Sequence, residues 1–130
     1  MDEDRLNSKI STSEDSVYVE VFPGNHELDS DQDASDLIVL CMENRVDRIL
    51  IHDGVFAEIF FKLKTGTAGI FLQKFSNYSI TAAIVIGTRG APNSAFLEMT
   101  SEINKGDRIR FFEEAEEARE WLACASGCIL

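Results

Sequence analysis

The sequence predicts an α/β fold: a single domain with a four-stranded, mostly parallel sheet and crossover helices. Short apolar runs alternate along the chain with segments of helical periodicity, an order typical of β-α-β units. The clearest example spans residues 48–87, where an apolar strand, a helix and a second apolar strand follow one another. A length of 130 residues allows one hydrophobic core rather than two.

The predicted elements follow one another in the order β-α-β-α-β-α-β-α. The strands are expected at residues 17–22, 48–51, 79–87 and 108–112, and three of the helices at residues 33–44, 65–77 and 113–124. The remaining helix is expected to have Pro92 in its first turn and to end just before Gly106. Residues 1–16 are rich in Asp, Glu and Ser without apolar periodicity, which predicts an acidic disordered tail. Residues 17–125 form the predicted domain, and residues 126–130 form a short tail.

Composition and charge exclude several classes of function. Of the 23 acidic residues, eleven lie within residues 1–36, where Arg5 and Lys9 are the only bases, and the net charge of the chain is −11. Such a chain is not expected to bind nucleic acid or an anionic membrane surface directly. The three cysteines suggest no disulfide framework, and the acidic N-terminus does not resemble a signal peptide. We therefore expect a cytoplasmic protein.

An aromatic segment predicts a surface for binding another protein. Residues 56–63 contain three phenylalanines, while the helix that follows already has its own inward stripe. Some of these aromatic side chains are therefore expected near solvent, where they would bind a protein partner or a second copy of the chain. The expected apolar contact residues are Phe56, Phe60, Phe61 and Ile70. Lys62 and Lys64 are expected to form a polar rim around them.

The segment from Lys64 to Thr67 supports an alternative, the binding of a small anion or nucleotide. Free backbone N–H groups at a helix start, beside the hydroxyls of Thr65 and Thr67, are suited to an anion. Capping of the helix by Thr65 explains the same residues without a ligand. Gly66 and Gly69 are poor residues for a helix interior, which predicts a close approach to neighbouring backbone or to a partner.

An enzyme is the third class of function, and its support is weak. His52 and Asp53 follow a predicted parallel strand, at the end of the sheet where such folds place functional groups. However, no Ser, Cys or second His lies at a recognisable spacing to complete a catalytic triad or a metal site. The sequence therefore predicts a non-enzymatic protein without a metal or cofactor.

The segment LKTGTAGIFLQKFSNYSITAAIVIG resembles the signature of a bacterial family, the domain of unknown function 4180 family. The resemblance covers residues 17–122, and its LQKFSNY element is specific. It implies no activity.

At the level of the fold, RILIHDG, KLKTG and ITAAIVIG are spaced as in STAS domains, the fold of anti-sigma-factor antagonists. The resemblance implies a regulatory module that binds a protein. In those antagonists a helix-start serine is phosphorylated as a switch, and Lys64 takes its place here. The usual switch is therefore absent from the sequence.

Overall fold

The computed structural model describes residues 7–13, 16–62, 65–86 and 94–124. Within these residues the chain forms an α/β structure with a five-stranded mixed sheet and four helices. The elements in chain order are β1 (Asn7–Ser13), β2 (Ser16–Phe22), α1 (Asp31–Glu43), β3 (Arg48–Ile51), a 3₁₀ turn (Glu58–Phe61), α2 (Thr67–Asn77), β4 (Thr81–Val85), α3 (Ser94–Ile103), β5 (Ile109–Phe112) and α4 (Ala115–Cys124).

The sheet has the strand order β1-β2-β3-β4-β5, with β1 antiparallel to β2 and the remaining neighbours parallel. Each parallel connection steps to the next position in the same direction. Right-handed crossovers of this kind place successive helices on one face of the sheet. Accordingly Leu37 of α1, Phe71 of α2 and Phe96 of α3 share one buried cluster with alternate residues of β2–β5.

Helix α4 covers the opposite face. Ala118 and Leu122 of α4 pack against Tyr18, Leu50 and Ala83, which point away from the first cluster. The alternation of strand side chains thus divides the core into a large layer under α1–α3 and a smaller layer under α4. The α/β class is confirmed, and the sheet has one strand more than predicted.

The additional strand is β1, which lies where the sequence predicted disorder. Its seven residues pair one by one with β2, from Asn7 opposite Phe22 to Ser13 opposite Ser16. The strand is polar apart from Ile10, so it shows no apolar alternation from which a strand could be recognised. The strand is stabilised by pairing with the edge of β2, so it depends on a contact with another part of the chain rather than on its own sequence pattern. The expectation of disorder was therefore wrong for residues 7–13.

Candidate functional site

The predicted aromatic contact residues lie mainly inside the core. Phe60 is fully buried, and Phe56 stacks on it with 3.9 Å between ring centroids. Phe61 is partly buried and packs edge-on against Phe96, with centroids 5.1 Å apart. The prediction that Phe56 and Phe60 face a partner is therefore wrong. The inward stripe of α2 does not fill the core alone, because Phe96 of α3 also lines the space that receives these rings.

The start of α2 is built differently from the prediction. The helix begins at Thr67, and its N-cap is Gly66 rather than Thr65. The Thr65 hydroxyl can donate its hydrogen to either of two carbonyl oxygens, that of Lys62 at 2.7 Å or that of Ile59 at 3.0 Å. It also accepts a hydrogen bond from the Thr67 backbone N–H at 3.3 Å. These bonds explain Thr65 without an anion. Lys64, which was predicted to join an anion site, lies outside the described residues.

The two glycines of this segment do not mark a close approach to another described part of the chain. A Cβ atom added at Gly66 or Gly69 would have no heavy atom of the described structure within 4 Å, apart from chain neighbours and the local helix backbone. Gly66 has a φ of 77°, in the left-handed region that strongly favours glycine. Its role is therefore to turn the chain into the helix, and Gly69 leaves part of the helix surface bare. The prediction of a close approach to neighbouring backbone is wrong for both positions, and a close approach of a partner stays a prediction.

The result is a continuous uncharged surface, here called the α2 face, formed by the residues Ile59, Thr65, Gly66, Gly69, Ile70 and Gln73. All six are exposed, and the two isoleucines retain 39% and 36% of their accessible surface. No residue of α2 that is exposed carries a charge, and its single lysine, Lys74, is partly buried and pairs with Asp31 at 3.5 Å. Lys62, the predicted rim residue, is exposed beside this face.

A second candidate site lies on the other side of the sheet, around the buried carboxylate of Glu20. Only 2% of Glu20 is accessible. Its Oε2 atom lies 2.6 Å from Nε2 of His52 and accepts a hydrogen bond from Nη2 of Arg119 at 2.7 Å. Its Oε1 atom accepts a hydrogen bond from the Ser11 hydroxyl at 2.7 Å. This network, which we call the Glu20 network, joins β1, β2, β3 and α4.

The surroundings of Glu20 determine its protonation. Burial favours the neutral acid, but the hydrogen bonds from His52, Ser11 and Arg119, with the charge of Arg119, outweigh it. The pKa of Glu20 is therefore lowered from 4.5. Burial, reinforced by the charge of Glu20, raises the pKa of Tyr18 from 10.0. The network thus contains a carboxylate held in its charged form next to a phenol held in its neutral form.

His52, which the sequence offered with Asp53 only as a weakly supported catalytic pair, has a partner that the sequence did not indicate. Its ring stacks on Phe22 with 4.5 Å between centroids, and the Glu20 carboxylate binds its Nε2 atom. Sequence reasoning missed Glu20, although the signal was present, because it is the single charge in the buried strand VYVEVF. A charge at such a position needs a partner. Because side chains alternate between the two faces of a strand, the partner of Glu20 could have been expected among the residues on the same face as Tyr18.

A third group of polar residues, His26, Asp29 and Asp33, offers ligand atoms within 4.8 Å of one another. Asp33 is fully buried in the first turn of α1 and accepts a hydrogen bond from the Asp29 backbone N–H at 2.8 Å. Its own N–H donates to the hydroxyl of the N-cap, Ser30. The arrangement is similar to a capping box, except that the Asp33 carboxylate accepts from Asp29, one residue before the N-cap, instead of from Ser30. It explains the buried carboxylate as part of the helix start.

Comparison with known proteins identifies the family. The family model of a domain of unknown function, DUF4180, matches residues 13–122. The chain belongs to the DUF4180 family. The matched residues include the whole α2 face and, apart from Ser11, the whole Glu20 network, so both candidate sites fall within the DUF4180 domain. No curated protein and no solved structure gives a significant match to the chain. None of the helices in the described ranges is long and apolar enough to cross a membrane.

Proposed function

We propose that this DUF4180 protein is a non-enzymatic regulatory module that binds a protein partner through the α2 face. The observation that carries the proposal is the absence of charge from the exposed residues of α2 in a chain with a net charge of −11. The described side chains of α4 show the opposite pattern, because all of those that are exposed belong to glutamate: Glu116, Glu117 and Glu120. An uncharged helix surface on so acidic a protein therefore needs an explanation.

Binding energetics support a docking role for this surface. The centres of protein interfaces are depleted in charged residues, because a charge that loses water without a partner is costly. Ile59 and Ile70 offer apolar area that a partner would cover. Gly66 and Gly69 lack side chains, so the backbone of a partner can come close at the centre of the face. The rings of Phe56 and Phe60 are buried beneath the face, and a face that is anchored in this way loses less entropy on binding.

The fold supports the STAS-like part of the proposal, because the parallel strands follow chain order and three successive helices lie on one face. Regulation by phosphorylation at the usual helix-start position is not part of the proposal, because Lys64 occupies it. The acidic net charge favours a partner with an apolar centre and a basic rim. Residues His52 and Asp53 have no catalytic role in this proposal.

The α2 face can be tested with a substitution that should leave the fold intact. Gly69→Arg adds a large charged side chain where, apart from chain neighbours and the local helix backbone, a Cβ would meet no heavy atom of the described residues within 4 Å. Because arginine has a higher helix propensity than glycine, by roughly 0.5–1 kcal/mol, the variant should be at least as stable as the wild type. The matched control is Ala95→Arg, which places the same charge at an exposed position in the first turn of α3.

The measurement is affinity capture from native lysate, followed by mass spectrometry and by titration of the purified captured protein. We expect the wild type and Ala95→Arg to bind the same protein, and Gly69→Arg to bind it at least ten times more weakly. Thermal unfolding of each variant verifies that the fold is retained. Equal binding by Gly69→Arg and the wild type would contradict the proposal, as would a wild type that captures no specific protein.

A further inference from the structure

The two edges of the sheet differ in whether a side chain occupies their outward-facing backbone groups. At the β5 edge, the side-chain amide of Asn104 donates to the carbonyl oxygen of Phe111 at 3.2 Å and accepts from its N–H at 2.8 Å. The amide thus occupies backbone groups that would otherwise pair with another strand, a protection expected at a sheet edge. At the opposite edge, β1 pairs with β2, and no other described segment pairs with it. The protection of β5 therefore has no described counterpart at β1.

The residues of β1 are compatible with a further strand. Lys9 is the only charged residue in Asn7–Ser13, and a lysine on an edge strand normally discourages pairing. Here its Nζ atom lies over the ring of Phe22, 5.6 Å from the centroid, and is therefore directed across the sheet face towards β2. On the other face, Ile10 and Val17 are exposed by 47% and 41%. The pairing of Ile10 with Val19 and of Thr12 with Val17 places them on the same face.

We propose that β1 pairs antiparallel with β1 of a second copy of this chain, with Ile10 on the two-fold axis, so that the two sheets become one. In this register Ile10 faces Ile10 of the second copy, and Lys9 faces Ser11, so no like charges lie opposite each other. A register centred on Lys9 would instead oppose two ammonium groups. Because β1 pairs with β1, the contact is self-complementary and closes as a dimer.

The edge at β5 explains why the partner is a second β1. Head-to-tail association would join β1 of one copy to β5 of the next and would extend without limit. The Asn104 amide occupies the backbone groups of Phe111 that such a contact would need. The apolar contribution comes from Ile10 and Val17 of both copies. This surface is separate from the α2 face, so the inference does not depend on the proposed function.

The first test is the solution mass of the full chain, measured by light scattering over a concentration series. We expect the wild type to change from monomer to dimer as the concentration rises. Ile10→Lys, which places two charges at the axis, should weaken the dimer at least tenfold. The control Val39→Lys makes a similar change on α1 at a position of equal exposure, 47%, and should dimerise as the wild type does. A wild type that remains monomeric at about 1 mM overturns the proposal.

The second test is disulfide cross-linking, which reports the register without relying on dimer strength. The background carries Cys124→Ser and Cys128→Ser. Cys41 can be kept because it is buried, and burial, with the charge of Asp47, raises the pKa of its thiol to about 12. Residues opposite each other in antiparallel strands have Cβ atoms about 4.5–5.5 Å apart, close to disulfide geometry. Ile10→Cys is therefore expected to cross-link to itself under mild oxidation.

Two further variants separate this register from others. Ser8→Cys alone should not cross-link, because its counterpart in the second copy is Thr12. The double variant Ser8→Cys/Thr12→Cys should restore the bond. Cross-linking of Ser8→Cys at the rate of Ile10→Cys would overturn the register and the proposal with it. Gly69→Arg should leave the dimer unchanged, so failure of one proposal can be distinguished from failure of the other.

Discussion

The two faces of the sheet are stabilised by different forces. Under α1–α3 the core contains a cluster of aromatic rings, and Phe60 contacts four other phenylalanines within it. Under α4 the apolar cluster is smaller, and a charged network of Glu20, His52 and Arg119 completes the contact between helix and sheet. The first face depends on volume and shape. The stability of the second face depends on each polar group keeping its partner. That stability should therefore change when a charge is removed or when the pH is lowered.

The largest expected effect is loss of a ring from the aromatic face. Phe60→Ala should destabilise the domain by about 3–5 kcal/mol, because removal of a fully buried ring leaves a cavity. The control Ile59→Ala alters the adjacent, partly exposed residue, and surface substitutions usually change stability by about 0.5 kcal/mol. Urea unfolding followed by tryptophan fluorescence gives both values. Similar losses for the two variants would mean that the 3₁₀ turn does not anchor the α2 face to the core.

A smaller effect is expected on the charged face. Arg119→Met keeps the apolar stem but removes a partner from the buried Glu20 carboxylate, which should cost about 1–3 kcal/mol. The control Arg108→Met removes the same charge from an exposed position and should be nearly neutral. In a Glu20→Gln background, Arg119→Met should cost less, because the buried charge is then absent. An unchanged cost in that background would show that Arg119 acts by packing alone.

The smallest effect, and the one specific to the charged face, is a dependence on pH. The pKa of Glu20 is lowered in the folded state, so the stability it contributes is complete above its ordinary value of 4.5 and is lost as the pH falls. The wild type should therefore lose more stability than Glu20→Gln as the pH falls from about 5 to about 2. Urea unfolding at each pH gives the comparison. Parallel curves for the two proteins would contradict the assigned role of the network.

The alternation of apolar runs predicted most of the architecture correctly. Strand β3 was expected at Arg48–Ile51 and is found there, and β2 begins one residue before its predicted start. Local pattern was sufficient for these strands because they are buried on both faces. It was insufficient for β1, since its sequence NSKISTS contains one apolar residue. Such a strand forms because a neighbouring edge is available.

For the segment around α2, the sequence placed one side chain at the surface correctly and two others wrongly. The region around α2 was singled out, and Ile70 is exposed there as predicted, but Phe56 and Phe60 turn inward. The Glu20 network was not predicted, because its members lie at residues 11, 20, 52 and 119. No local spacing connects positions so far apart in the chain.

The sequence by itself determined the strands and helices other than β1 and that the protein is acidic, because periodicity and charge are properties of neighbouring residues. It also determined membership of the DUF4180 family. Only the tertiary structure decided which phenylalanines are buried, which partners hold the Glu20 carboxylate and which surface of α2 lacks charge. The physical reason is that burial and pairing depend on what other elements bring to the same place. Phe96 of α3 and Arg119 of α4 are far in sequence from their partners Phe60 and Glu20 and contact them only in the tertiary structure.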